Sequence, residues 1–467
     1  MVRCDGCGAI VETSAEPVCP RCGRTLPLAD GPTVPTAATG GTDLRPGGED
    51  LYGLLGQRVA QYEVQSLIGT GGMAAVYLVR HVDLDRLSAL KVPLPRYTDL
   101  YRLAPEEFFS EARLAARLVH RCIVTIHNIG QIERIKLPFI EMEYVPGGSL
   151  STRVRSGQGI EALTVARWMV DVAAGLAEAH RHDVLHRDVK PSNVFLASDG
   201  GAKLGDFGLA RLKQTVTRRE TGRAAGTPAF MAPEVIRGAE PIPATDVYSF
   251  GVTFFAVLAG RLPFVGQATD ELLDAHLYRP APNVREFNPT VPEPVARVID
   301  RCLAKKPEDR YANGAELLMA CNFALGEARG LDQLLHEALA STQLVPEVVE
   351  TSQERFLYRV VVPLPADRRQ IVYIEATRER VLAERVVRVY SFCAPARPSY
   401  YEDALALNAS LPHAKVGIQP KGDQLWFVVS NVYPRATCDP EELKLSILQV
   451  AEWADRLEQT LTGADIY

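Results

Sequence analysis

One stretch leaves the chain little freedom in what it can become: His186-Arg187-Asp188-Val189-Lys190-Pro191-Ser192-Asn193, followed 13 residues after its asparagine by Asp206-Phe207-Gly208. A carboxylate stands five residues before an amide, and a second carboxylate comes later. Asn193 and Asp206 are hard oxygen donors of the kind Mg²⁺ prefers. Upstream, Gly69-Thr70-Gly71-Gly72-Met73-Ala74 lies between two strand-like runs, Tyr62–Ile68 and Ala75–Arg80, so its backbone can fold over phosphates where side chains would collide. A glycine-rich turn is as often a plain hairpin, and the residues downstream of it decide between the two. Lys91, on a short strand expected over Ala89–Pro93, comes about 20 residues after the glycines, and Glu111 sits on a helix expected over Glu106–Val119. A lone lysine is usually a solvated surface charge, but this pair can form the ion pair that holds a lysine against the α- and β-phosphates of a nucleotide.

Further along come Ala232-Pro233-Glu234, then Asp246 in Asp246-Val247-Tyr248-Ser249-Phe250-Gly251, then Arg310 in Pro307-Glu308-Asp309-Arg310-Tyr311. Six motifs in this order resemble the protein-kinase superfamily, and within it the bacterial serine/threonine kinases of the eukaryotic-like type, over roughly Gln61 to Leu325. The resemblance implies a bilobal kinase fold and transfer of the γ-phosphoryl group of ATP, with Mg²⁺ or Mn²⁺, onto Ser/Thr hydroxyls of protein substrates. It implies that Asp188 orients the acceptor hydroxyl and takes its proton, and that Lys190 neutralises charge on the transferring group, with Lys91 and Glu111 completing the catalytic set. ATP would lie against Ile68, Gly69, Thr70, Gly71, Gly72, Val76, Lys91, Glu143, Val145, Asn193 and Asp206, the last two holding the metal. Glu141-Met142-Glu143-Tyr144-Val145 resembles the hinge that binds adenine, with Met142 as gatekeeper. Glu234, Arg310 and Asp246 are implied to be architectural. Lys190 and Thr227, in Gly226-Thr227-Pro228, resemble serine/threonine and not tyrosine kinases. Ala74 stands where the family pattern has a third glycine. The alternative reading is a pseudokinase scaffold.

Arg187 before the catalytic aspartate resembles kinases that need a phosphate on the activation segment, here 206–234. Thr215, Thr217 and Thr221 lie there among Arg211, Lys213, Arg218, Arg219 and Arg223, where an added phosphate can order the loop through new ion pairs. Autophosphorylation at Thr215 or Thr217 is the expectation, against a basic loop active as made.

At 467 residues the chain is too long for one core, and about 150 residues per domain gives roughly three units. Four of its nine cysteines fall in the first 22 residues, as Cys4-x2-Cys7, 11 residues, Cys19-x2-Cys22, with glycine after each pair. This resembles a zinc ribbon over 1–23, a closed tetrahedral site with thiolate ligands only and hence structural Zn²⁺. Residues 24–56, rich in Pro, Gly and Thr, read as a flexible linker. The kinase domain is expected over 57–325 (N-lobe about 61–145, C-lobe about 146–325), then a polar helical connector over 326–349. In the N-lobe the three strands above are expected; in the C-lobe, helices over Ala162–Arg181 and Val247–Gly260, the latter buried on nearly all sides.

Residues 350–467 show strand candidates over Arg355–Pro363, Gln370–Glu375, Glu384–Phe392, Lys415–Gln419 and Leu425–Val432, and a closing amphipathic run over Pro440–Gly463. With 403–411 this resembles the type III secretion chaperone-like fold, which implies an α+β interaction domain with an antiparallel sheet, contacting a protein client or forming a homodimer. Cys393 and Cys438 read as buried apolar residues. The whole is then an α+β multidomain protein. A net charge of −6 argues against a nucleic-acid partner. The longest apolar stretch, Tyr248–Leu258, is too short to span a bilayer, and the amino terminus has no apolar signal region, so a cytoplasmic bacterial signalling protein is expected.

Overall fold

The computed structural model describes residues 2–3, 10–11, 50–71, 74–95, 109, 112–155, 160–207, 227–351, 356–378 and 385–463. At the front, β1 (Val2–Arg3) and β2 (Ile10–Val11) pair antiparallel, Val2 opposite Val11. Cys4, Cys7, Cys19, Cys22 and the tether over 24–49 lie outside the described residues.

A six-stranded antiparallel sheet follows: β3 (Arg58–Val59), β4 (Tyr62–Thr70), β5 (Ala74–His81), β6 (Arg86–Pro93), β7 (Ile126–Ile132) and β8 (Leu137–Glu143), in the order β3-β4-β5-β6-β8-β7. Val64, Tyr77, Val79, Leu90, Val92 and Phe139 fill its core. The expected linker ends earlier than composition indicates. Leu54 is buried in this same core, Tyr77 Oη donates to Asp50 Oδ1 at 3.0 Å, and Tyr52 Oη donates to the Pro93 carbonyl at 2.7 Å. Residues 50–56 therefore belong to the sheet layer. The helix expected to run to Val119 is helical over 112–115 and turns at 116–117. Leu118 N–H donates to the Ala115 carbonyl, a tightened last turn that buries Leu118 and leaves Val119 exposed.

A helical layer comes next: α1 (Leu150–Arg155), α2 (Ala162–Arg181), α3 (Pro233–Ile236), α4 (Pro243–Ala259), α5 (Thr269–Tyr278), α6 (Glu293–Cys302) and α7 (Gly314–Ala328), with a hairpin of β9 (Val194–Leu196) and β10 (Ala202–Leu204) on its surface. The run of apolar residues in α4 is explained by burial on every side: Val247, Tyr248, Phe250, Phe254 and Phe255 are all fully buried. Pro243 opens it, where a missing N–H costs nothing, and Gly260 closes it at φ 67°, a left-handed cap that glycine takes without a Cβ clash. Glu234 and Arg310 form a two-pronged ion pair at 2.9 Å for each contact, with the remaining Arg310 donors on the carbonyls of Ala244, Ala304 and Lys305.

The last part is a second six-stranded antiparallel sheet, β11 (Glu347–Thr351), β12 (Phe356–Leu364), β13 (Arg368–Arg378), β14 (Arg385–Pro395), β15 (Lys415–Lys421) and β16 (Gln424–Pro434), in the order β11-β12-β13-β14-β16-β15. Two helices of this part are α9 (Tyr401–Ser410) and α10 (Pro440–Thr462); the latter lays Leu443, Ile447, Val450, Ala454, Leu457 and Leu461 on one sheet face. Cys393 and Cys438 are buried there, and burial pushes the Cys438 thiol up to about 12. The segment expected as a polar connector differs from that expectation. Within it α8 (Leu331–Leu339) buries Leu331, Leu334, Leu335, Ala338 and Leu339 in the core of this second sheet, and Glu347–Thr351 is its edge strand.

α7 meets the loop after β16 at Gly326, where an added Cβ would lie 1.9 Å from the Ala436 carbonyl oxygen. Backbone on backbone cannot yield cheaply. Gly326→Ala is expected to destabilise the full chain by about 1–3 kcal/mol in urea denaturation; unchanged stability would contradict the close approach.

Candidate active site

β6 carries Lys91 in the middle of the first sheet, opposite Val76 on β5 and Ile140 on β8, and its side chain points down to the loop after β10. There Lys91 Nζ sits 2.7 Å from Asp206 Oδ1, with both side chains more than nine-tenths buried. In such a place the charges must be paired. Asp206 is held at φ 66°, a left-handed conformation unusual for a residue with a Cβ. Ile68, Gly69 and Thr70 end β4, with Gly69 opposite Val76, and Gly71 N–H donates to the Ala74 carbonyl at 2.7 Å to close the hairpin. Glu143 ends β8 and Val145 comes two residues later. Glu143 is tied to the helical layer's hairpin, its Oε1 2.7 Å from Lys203 Nζ, while Met142 borders a small cavity with Lys91, Ile140, Asp206 and Phe207.

The loop after α2 brings the second group together. Asn193 Nδ2 donates to the Asp188 carbonyl at 2.8 Å and to its Oδ2 at 3.3 Å, while Lys190 Nζ stands 2.9 Å from the same Oδ2. Lys190 also donates to Thr227 Oγ1 at 3.0 Å, and that hydroxyl reaches Asp188 Oδ1 at 3.5 Å. The carboxylate is thus fixed by three side chains. Beside it a groove runs past Phe230, Met231, Val235 and Pro241.

Beneath this loop lies Asp246, on α4 and 1% exposed. Its Oδ2 accepts from His186 N–H at 2.8 Å and its Oδ1 from Arg187 N–H at 2.7 Å, and His180 Nε2 is 3.0 Å from Oδ2. His180 Nδ1 accepts from Gly314 N–H, so the ring proton is on Nε2 and donates to Asp246. Likewise His186 Nδ1 accepts from Asp188 N–H and its Nε2 faces the Gly205 carbonyl at 2.8 Å; burial holds this imidazole neutral, below its ordinary pKa. For Asp246, burial alone would raise the carboxyl pKa, but the hydrogen bond from His180 and that from Arg187 N–H bring it below the ordinary carboxylate value.

Of the residues picked from sequence, Lys91, Asp206, Asp188, Lys190 and Asn193 gather in two adjoining clusters, with Ile68, Gly69, Thr70, Gly71 and Val76 on the strands beside Lys91 and Glu143 and Val145 at the edge. Glu111, Gly72, Thr215, Thr217 and Thr221 lie outside the described residues. In the sequence Thr227 is only a sign of the acceptor class, yet it touches both Asp188 and Lys190. His180 and Lys203 belong to no motif; one sits on a helix face and the other on a short hairpin, where no sequence period marks them. Among the described residues, no group of three or more His, Cys, Asp or Glu side chains is arranged to hold a metal, and no helix is long and apolar enough to cross a membrane.

A folded-state carboxyl pKa below the unfolded one stabilises fully above the unfolded value and loses that contribution as pH falls through the folded value. Asp246→Asn is expected to remove about 3 kcal/mol at neutral pH, and to flatten the acid side of the stability profile measured by urea denaturation between pH 2 and 6. An unaltered acid limb would deny Asp246 this part.

The sequence profile of the protein kinase domain matches residues 62–323. Serine/threonine-protein kinase PrkC of Bacillus subtilis is 32% identical over 265 residues, covering 56% of this chain and 40% of the relative. Pkn1 of Myxococcus xanthus is 35% identical over 328 residues, 69% of this chain and 46% of the relative. PknL of Mycobacterium tuberculosis is 36% identical over 279 residues, 58% and 68%. The chain therefore spans less than half the length of the first two. A crystal structure of the Mycobacterium tuberculosis PknI kinase domain aligns with 58% of this chain and 98% of its own, at 29% identity and a TM-score of 0.46. With the profile covering residues 62–323 of 467, the chain belongs to the protein kinase family, and its kinase domain is a homologue of those of bacterial serine/threonine-protein kinases.

Proposed function

We propose that the chain transfers the γ-phosphoryl group of ATP to serine or threonine hydroxyls of proteins. The observation that carries this reading is the meeting of Asp188, Lys190, Asn193 and Thr227 beside the buried Lys91–Asp206 pair. In phosphoryl transfer the protein's work is positioning and charge stabilisation. Asp188 orients the acceptor hydroxyl and takes its proton; Lys190, already fixed against Asp188, faces the negative charge of the transferring group. Lys91, with Glu111, holds the α- and β-phosphates, under Gly69 to Gly72. Asn193 and Asp206 offer an amide and a carboxylate oxygen, a donor set that suits Mg²⁺ or Mn²⁺. When bound, the ion neutralises the phosphate oxygens. The acceptor chain lies along the groove by Phe230 and Met231.

Phosphate on Thr215 or Thr217 would meet Arg187 and the activation-segment cations, so the same reading includes activation by autophosphorylation. The runner-up, a pseudokinase scaffold, is supported by no replaced catalytic side chain in the sequence. Labelled phosphate transfer from ATP with Mg²⁺ tests both. Wild type is expected to give phosphothreonine or phosphoserine, with label mapping between residues 206 and 234. Asp188→Asn is expected to lower the rate roughly 10²- to 10⁴-fold and Lys91→Met to remove it. Folded wild type without label would favour the scaffold.

The amino-terminal unit is read as a zinc ribbon, supported by the antiparallel pairing of Val2–Arg3 with Ile10–Val11, two stretches that flank the first cysteine pair in the sequence. Tetrathiolate sites of this kind are closed and structural. Residues 350–467 are read as a chaperone-like module for a protein client or a second copy, and the protein as a cytoplasmic signalling kinase. Elemental analysis of the purified full chain is expected to find one zinc per molecule, and none after Cys4→Ser with Cys19→Ser; a zinc-free wild type would end that reading.

A further inference from the structure

The charged groups of the kinase site are matched to partners, whereas a second set of cations lies where α7, α8 and the end of β16 come together. A cleft of about 1330 Å³ opens there, walled by Arg297, Arg329, Arg385 and Arg435. We propose that it binds a phosphate-class oxyanion, the phosphomonoester group of a phosphorylated side chain or free phosphate, independently of the catalytic reading above.

Arg435 carries the argument. It is 5% exposed, its Nη2 donates to the Arg329 carbonyl, and its backbone N–H donates to the Arg385 carbonyl at 2.8 Å, so the main chain is anchored and the guanidinium is tied at one nitrogen. Yet its Nη1 has no hydrogen-bond partner, and Arg329 Nε nearby is also buried without one. Native proteins rarely leave such donors unmet, and charged donors least of all. The nearest carboxylate to Arg329, on Glu337, is 3.9 Å away and is shared with Arg167. Glu293 is engaged by Arg297 at 3.1 Å, and Glu327 and Asp332 also line the cleft, so the lining itself holds four arginines and three carboxylates, with Glu337 behind Arg329 as a fourth. Guanidinium groups from four separate segments line this one cleft, and planar forks of this kind pair with tetrahedral oxyanions. Exposed Phe323 and Phe356 on the walls add apolar surface that a bare ion does not need but a peptide carrying phosphate uses. The close approach of Gly326 to Ala436 fixes the geometry before any ligand arrives.

Two probes on the full chain distinguish the sources: inorganic phosphate by calorimetry, and a fluorescent phosphothreonine peptide pool, beside its unphosphorylated counterpart, by anisotropy. Saturable binding of a phosphate-bearing probe is expected, weakened about tenfold or more in Arg385→Gln and in Arg435→Gln. Arg385 is exposed at the mouth, so its variant decides the matter if Arg435→Gln fails to fold. Equal affinity for phosphate and phosphopeptide would assign a small anion; tighter phosphopeptide binding would assign a polypeptide. Phosphate binding with neither peptide bound would likewise assign a small anion; the proposal is overturned if neither probe saturates, if phosphate does not saturate and phosphorylated and plain peptides bind alike, or if the folded variants bind as wild type does.

Discussion

The arrangement around the catalytic-loop aspartate depends on one buried carboxylate. Asp246 accepts two successive backbone N–H groups, from His186 and Arg187, and Arg187 is held at φ 65°. A left-handed non-glycine residue costs about 1–3 kcal/mol unless its surroundings over-determine it, and here a charge-assisted bond of 2.7 Å to the strained residue's own N–H does so. Two elements farther off are joined to the same point. His180 on α2 donates to Asp246 and accepts from Gly314 N–H at the start of α7, so two helices and the loop share one anion. That bend aims Asp188 at Lys190 and Thr227.

Two other buried carboxylates are fully paired. Glu234 takes both prongs of Arg310, and the remaining donors of that guanidinium meet three carbonyls. Glu141 accepts from Tyr62, Ser88 and Arg86. Buried pairs are weak sources of net stability, since desolvation offsets most of the attraction, but they penalise every arrangement that separates them. They therefore fix which helix end meets which loop. Arg435 differs from Arg310 in this respect: its Nη1 has no hydrogen-bond partner, nor has Nε of Arg329 or of Arg86, whereas each of the three Arg310 nitrogens donates to an acceptor.

Much of this is legible in the sequence. Three strands of the first sheet, β4 to β6, five of the second, β12 to β16, and α2, α4 and α10 follow from periodicity, while β3, β7, β8 and β11 are not among the strand candidates; motif order marks Lys91, Asp188, Lys190, Asn193 and Asp206. The features that escape such reading are set by distant partners. The leucines of α8 recur at helical spacing, but their partners lie on α10, more than 100 residues later, so the spacing alone does not say which body buries them. Leu54 is a single apolar plug in a glycine-rich segment and has no period to read. His180 reaches Asp246 from 66 residues away, which no local pattern encodes.

The same physics explains why Ala74 can replace the expected glycine. Glycine is needed where φ is positive or where another backbone comes too close for a Cβ. Ala74 meets neither condition: it begins β5 opposite Pro93, is not among the positive-φ residues, and is 8% exposed with its methyl packed. The hairpin contact at this end uses its carbonyl, which accepts from Gly71 N–H, and a methyl leaves that bond intact. Gly326 meets the second condition, since any side chain there collides with the Ala436 carbonyl. A departure from a family's glycine pattern is therefore to be judged by local backbone demand, and at Ala74 that demand is absent.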